Sequence, residues 1–332
     1  MSPVRPRLSV VVPCYNEEAN VPLFLSRMSA ACQAAAGGPY EIILVNDGSR
    51  DDTWTCIRTM ALTRPGVVAL NLSRNHGHQL AVTAGLSRAM GERVLVIDAD
   101  LQDPPELLGT MMARMDEGFD VVYGRRRARA GETIFKRTSA HYFYQILGRI
   151  SDVAIPPDTG DFRLMTRMIV ERLNAMPEQD RFLRGMVAWL GGSQSEVLYD
   201  RDGRHAGKTG YSLVKMARLA TAGFISFSTV PLGLAACLTV FGMLVGGSVA
   251  LYAVGGLVLG HVVPGWASVV LCMAFFSTAQ LACLAVLSVY VGRIFMQVKQ
   301  RPMFLINDIV SSEARVGLAP PPLIFCEERQ RA

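Results

Sequence analysis

The chain is expected to be an α/β protein: a mostly parallel sheet covered on both faces, followed by an interfacial helix and a two-helix transmembrane hairpin. Three observations predict this. Short β-branched runs alternate with helix-like segments through the first two hundred residues. Each of the first four runs ends in a polar cluster. Finally, no Asp, Glu, Lys or Arg occurs between Leu219 and Gly292.

The strand candidates, in order, are "LSVVVP" (8–13), "YEIILVND" (40–47), "VVALNLS" (67–73), "RVLVID" (93–98) and "FDVVYG" (119–124). Ligands of open α/β sheets bind outside the carboxyl ends of the strands. Those ends carry "PCYNEE", "NDGSRDDT", "SRNHGH" and "DADLQD", so four polar loops could line one crevice.

The fourth loop is the most informative. A buried run, Val94 to Ile97, is followed by Asp98, Asp100, Gln102 and Asp103, then Pro104 and Pro105. On an extended segment alternate residues point the same way, which would align Asp98, Asp100 and Gln102 as oxygen ligands. Hard oxygens suit Mg²⁺ or Mn²⁺, whose shell phosphate and water usually complete. Asp103-Pro104-Pro105-Glu106 reads instead as a helix start with Asp103 as cap.

Composition sets the surroundings. Half of the 332 residues are hydrophobic and 18% are charged, low for an ordinary soluble enzyme. The net charge of +5 is mild; it suits contact with anionic lipid, and no nucleic-acid partner is expected. Seven cysteines, none spaced CxxC, argue against a disulfide framework or a zinc site and for a reducing compartment. No secretory signal is read at the N-terminus.

The uncharged run would span roughly 110 Å as helix, several times the ~30 Å hydrocarbon core. "GHVVPGW" breaks it into two spans, near 230–259 and 266–294. Arg201, Arg204, Lys208, Lys215 and Arg218 precede the pair, and Arg293, Lys299 and Arg301 follow it. The positive-inside rule then puts both flanks in the cytoplasm. "GYSLVKMARLATAGFISFS" (210–228) has apolar residues at helical spacing and reads as a helix lying in the interface.

"VVPCYNEE", "NDGSRDDT", "RNHGHQLAVTAGL" and "DADLQDPPE" together resemble the family 2 glycosyltransferases of GT-A, Rossmann-like fold. More narrowly, they resemble the dolichyl-phosphate mannose synthase group and its bacterial polyprenyl-phosphate glucosyltransferase relatives. "DTGDFRLM", "RFLRGMVAWLG", "GKTGYSLVKM" and the terminal hairpin extend the likeness over nearly the whole chain. Arg50 departs from the family, which often has Thr there. The resemblance implies a GT-A domain at 1–207, an interfacial helix at 208–228, the hairpin within 229–295 and a cytoplasmic tail at 296–332.

It also implies residue roles. Pro13, Tyr15 and Glu17 would border base and ribose, with Asp47 accepting hydrogen bonds from them. Asp98 would face ribose or metal, Asp100 would ligate the metal, and Gln102 would complete its shell. Asp161 is suggested as a catalytic base, although a phosphate acceptor is already mostly dianionic and leaves little proton to remove; orienting the sugar or holding Arg163 is the other reading. His76 and His78 either touch the nucleotide or face solvent. Arg201, Arg204 and Lys208 are placed for the acceptor phosphate. Arg125, Arg126, Arg127, Arg129, Lys136 and Arg137 form a second basic cluster, for lipid headgroups or as a solvated face.

The implied reaction is metal-dependent, inverting transfer of a sugar, with UDP-glucose preferred, to polyprenyl phosphate at the bacterial inner membrane. UDP-N-acetylglucosamine, GDP-mannose and UDP-4-amino-arabinose stay open as donors, as does self-association. A processive polysaccharide synthase would carry Q-x-x-R-W, and "QDRFLRGMVAW" lacks that spacing. A non-catalytic scaffold would not need Asp47, Asp98 and Asp100.

Overall fold

The computed structural model describes residues 5–127, 159–200, 230–258 and 265–312. They fall into two compact units, a sheet unit and a helical unit.

In the sheet unit, β1 (Leu8–Cys14), β2 (Tyr40–Asn46), β3 (Val67–Leu72) and β4 (Arg93–Val96) are the apolar runs expected. They lie in the order β4-β1-β2-β3, all parallel. Every residue of β1 is buried, as a central strand covered on both faces requires. α1 (Val21–Ala35), α2 (Thr53–Thr63), α3 (His78–Arg88) and α4 (Leu108–Asp116) follow these strands. On α1 the buried residues Val21, Phe24, Leu25, Met28 and Cys32 make one helical stripe. The strand order reverses between β1 and β4, so the crevice opens at the loops "PCYNEE" and "DADLQD".

Beyond this core the sheet becomes mixed. β5 (Val121–Arg126) starts two residues later than the expected run, and β6 (Thr159–Thr166) is antiparallel to both β4 and β5. α5 (Arg167–Ala175) and α6 (Leu183–Leu190) lead to β7 (Gln194–Tyr199), parallel to β5 at one edge. Three of the six residues in the second basic cluster are described, and each faces an acid. Arg125 pairs with Glu196 at 3.0 Å, Arg126 lies 3.9 Å from Asp103, and Arg127 lies 3.8 Å from Asp200.

The helical unit contains α7 (Val230–Val258) and α8 (Trp266–Val298). They pack with Gly242 and Gly246 over the Phe276 ring, a Cβ on Gly246 meeting that ring at 3.1 Å. Cys283 Sγ lies 3.4 Å from the Ala235 carbonyl across the same contact. By length and composition, one segment among the described residues is long and apolar enough to cross a membrane, Phe275–Val298; α7 holds a shorter apolar stretch, Ala235–Val249. The proposed interfacial helix lies outside the described residues.

After α8 the chain returns to the sheet. β8 (Ile306–Ser311), within the stretch read from sequence as a tail, adds to β3 as an antiparallel edge strand.

Candidate functional site

The polar loops at the strand ends hold one another through backbone groups. In the first, Asn16 N donates to Ser49 Oγ (3.0 Å), Arg50 N donates to Asn16 Oδ1 (2.9 Å), and Glu17 N donates to Thr53 Oγ1 (2.9 Å). Pro13 is buried within β1, Glu17 accepts from Asn20 Nδ2, and Tyr15 is exposed at the rim.

Asp47 is buried at the end of β2. Its carboxylate accepts from His76 N (2.7 Å) and Gly77 N (3.0 Å), the backbone leading into α3. Burial pushes its pKa up, and those two donors offset only part of the rise. This fixes the third loop against the second. Gly48 makes the approach feasible: its φ is +62°, and a Cβ would stand 2.4 Å from Asn75 N. Gly48→Ala is therefore expected to cost about 2–3 kcal/mol, combining a left-handed backbone with a backbone clash. The check is Tm, which should fall by about 5–10 °C; an unchanged Tm would mean that the loops part without cost.

The fourth loop differs from the extended segment expected. β4 ends at Val96, and Leu101 has a φ of +60°, so a turn carries the acids. Asp100 is buried and its Oδ1 accepts from Gln102 N at 3.2 Å, so Gln102 braces Asp100 through its backbone. Asp98 Oδ1 is a buried oxygen with no hydrogen-bond partner among the described residues. Burial first, then Asp161, Asp103 and Asp100, push the Asp98 carboxyl up to about 6, against the pull of His78. Asp103 is not a helix cap. The turn Pro105–Leu107 has no side-chain cap, and Asp103 instead accepts the Tyr199 hydroxyl, tying the loop to β7.

Asp161, on β6, is 8% exposed and is the most heavily bonded side chain of the site. Arg184 Nε donates to its Oδ1 at 2.8 Å; His78 Nε2 and Gln79 Nε2 each lie 3.0 Å from its Oδ2. Arg163 Nη2 stands 3.8 Å away. Gln79 is itself set by Leu183 N, which donates to its Oε1 at 3.0 Å. Burial alone would raise the Asp161 pKa, but Arg184 and His78 hold it well below the usual carboxylate range. His78 also lies 3.7 Å from Asp98 Oδ1. Burial opposes a charge on His78, yet the Asp161 hydrogen bond and the charges of Asp98 and Asp161 raise its pKa to about 9. His78 thus bridges the acids of β4 and β6.

Through His76, Gly77 and His78 the structure links the loops carrying Asp47, Asp98 and Asp100 to Asp161 on β6. Arg201, Arg204 and Lys208 lie outside the described residues, as do Arg129, Lys136 and Arg137. The sequence carries no local signal for Gln79 or Arg184 and leaves both readings of His78 open; nothing in the spacing of "RFLRG" points to Asp161. Among the described residues no three His, Cys, Asp or Glu side chains form a metal-ready cluster. Asp98 and Asp100 fit a divalent cation as a partial shell: one has an orphaned buried oxygen, and both are hard ligands that crowd each other.

Residues 9–173 match the family model "Glycosyl transferase family 2". An uncharacterized glycosyltransferase of Synechocystis sp. is 40% identical over 303 residues, covering 91% of this chain and 95% of that protein. The SfII prophage-derived bactoprenol glucosyl transferase of Shigella flexneri is 37% identical over 307 residues, covering 91% and 97%. Among solved structures, glucosyl-3-phosphoglycerate synthase from Mycobacterium tuberculosis, in complex with Mn²⁺, UDP-glucose and phosphoglyceric acid, is 20% identical. It covers 66% of this chain and 77% of that one with a TM-score of 0.42, too loose a fit for residue correspondences.

Proposed function

This chain belongs to glycosyl transferase family 2, and from that membership we propose that it transfers glucose from UDP-glucose to a polyprenyl phosphate at the cytoplasmic face of a bacterial membrane. The observation that carries the reading is the site itself: the loops after β2, β3 and β4 meet Asp161 of β6, gathering Asp47, Asp98, Asp100 and Asp161 at one end of the sheet. The bactoprenol glucosyl transferases that align with nearly the whole chain supply the substrate class.

Pro13, Tyr15, Glu17, Asp47 and Asp98 border the nucleotide, Tyr15 offering a ring face for stacking. Asp98 and Asp100, with Gln102, would hold Mg²⁺ or Mn²⁺, which supplies Lewis-acid stabilisation of the departing diphosphate. The acceptor's phosphate oxygen bonds to the anomeric carbon as the bond from that carbon to the UDP oxygen breaks; attack from the opposite face inverts the configuration. Asp161, ionised and clamped between Arg184 and His78, orients the sugar and its cationic neighbours. Arg201, Arg204 and Lys208 receive the acceptor phosphate.

Two membrane crossings are supported by chain connectivity. β8 follows α8 yet pairs with β3, which precedes α7. A chain that leaves a sheet, enters a bilayer and returns to that sheet crosses an even number of times. With Phe275–Val298 as one crossing, α7 supplies the other. Exposed apolar side chains such as Met243 (70%), Leu251 (80%) and Val298 (72%) suit hydrocarbon surroundings.

The test is incubation of the full-length protein with polyprenyl phosphate and labelled UDP-glucose, UDP-N-acetylglucosamine or GDP-mannose. A glucosyl lipid is expected. A polymer, another sugar, or no product would overturn the reading.

A further inference from the structure

The loop after β2 is joined to the strand that returns from the helical unit. Asn71 Nδ2 donates to Asp308 Oδ2 at 3.1 Å, Asn46 Nδ2 donates to Asn71 Oδ1 at 2.8 Å, and Ser49 N donates to Asn46 Oδ1 at 3.2 Å. The three side chains sit on β8, β3 and β2 in register, Asn71 opposite both Asp308 and Asn46. Ser49 Oγ then accepts from Asn16 N, in the loop after β1. A second strut runs beside the first: Ser73 N donates to the Leu305 carbonyl at 2.9 Å, at the root of the loop that holds Asp47.

This chain of bonds has a polarity. An amide side chain can present either its oxygen or its nitrogen, but a carboxylate only accepts. Asp308 therefore draws the nitrogen of Asn71 toward itself and turns the Asn71 oxygen to Asn46. Asn46, nearly fully buried, must then offer its nitrogen to Asn71 and its oxygen to Ser49 N. The acid at the sheet edge and the Ser49 N–H at the other end agree on both amides, so Asp308 anchors the outer end of a chain whose inner end is the backbone of "NDGS".

We propose that Asp308 is a positioning residue for the nucleotide-sugar site, acting through Asn71 and Asn46 on the loop after β2. This rests on the functional reading above, which places the nucleotide at that loop. The dependence links donor binding to the strand that follows the membrane helices, so the enzyme takes up its donor fully only when that strand is seated.

Two substitutions on full-length protein test it. Asp308→Lys replaces an acceptor with a donor, and lysine is well tolerated on an edge strand. Simple electrostatics predicts that an added positive charge tightens binding of an anionic nucleotide. The relay predicts the reverse: UDP affinity in Mg²⁺ falls about 5–10-fold and the UDP-glucose KM rises equally, the worth of one or two lost hydrogen bonds. kcat and the KM for polyprenyl phosphate stay within twofold. Asp308→Asn, which still offers an oxygen, stays within twofold on every readout. Should the lysine variant fail to accumulate, Asp308→Ser, too short to reach Asn71, carries the same expectation. Unchanged or tighter UDP binding, or a loss confined to kcat, overturns the relay. A wild-type protein that binds UDP but glucosylates no lipid overturns the functional reading alone, because UDP binding by the variants still judges the relay.

Discussion

Asp161→Asn is expected to lower turnover by about 100-fold, within the range of losses when one positioned charged or hydrogen-bonding group is removed from an active site. UDP binding should change less than turnover, because Asp47 is held by the His76 and Gly77 backbone N–H groups and not by Asp161. The asparagine can still accept from Arg184, but it leaves Arg184, Arg163 and His78 facing one another without the anion that separates them. The pH dependence distinguishes orientation from base catalysis. With its pKa held well below the usual range, Asp161 stays ionised at pH 6 and at pH 8, and its lone pairs are engaged by four donors or cations. A group so stabilised as an anion is a poor proton acceptor. The deficit of the variant should therefore be as large at pH 8 as at pH 6. Were Asp161 a base toward monoanionic acceptor, the deficit would shrink at pH 8, where solvent has already taken the proton. A loss that vanishes at the alkaline end would restore the base role.

Removing the divalent ion should be at least as damaging. Chelation, or Asp100→Asn, is expected to cut transfer by about 1,000-fold, since Lewis-acid stabilisation of a leaving diphosphate is worth several kcal/mol. The structure gives a physical reason to expect this. Burial first, then the charges of Asp161, Asp103 and Asp100, raise the Asp98 carboxyl, and among the described residues Asp98 Oδ1 has no hydrogen-bond donor. The fold leaves a repulsion in place that a cation would relieve. UDP titrations with and without Mg²⁺ check this apart from turnover: affinity should fall in chelator and in Asp100→Asn, while Tm without nucleotide stays near wild type. Full activity in chelator would remove the metal from the mechanism.

The central strands were legible because parallel strands covered on both faces are apolar along most of their length, and the runs "VVVP", "IILV" and "VLV" are. The outer sheet was not. β6 reads "TGDFRLMT", mixing two charges into eight residues because it carries the site, and β8 reads "INDIVS", too short and polar to stand out after an apolar helix. The acids of the site could be found because they follow recognisable strands. Their partners could not: Arg184 reaches Asp161 because α6 packs on α5, which in turn lies against β6, a tertiary fact with no local signature. The alternation argument for Asp98, Asp100 and Gln102 failed for a local reason: the chain turns at Ala99 and Asp100, and the left-handed backbone at Leu101, which no propensity favours in a leucine, then redirects Gln102.

The pairing of β8 with β3 also sets an order of events during synthesis. Asn71 waits 237 residues for its Asp308. While ribosomes make the intervening chain, the β3 edge stands open, with its backbone donors and acceptors unpaired. Both long helices must leave the exit tunnel before the strand that closes this edge can arrive. The sheet unit therefore cannot finish folding until the whole helical unit has been synthesised, however early its central strands form.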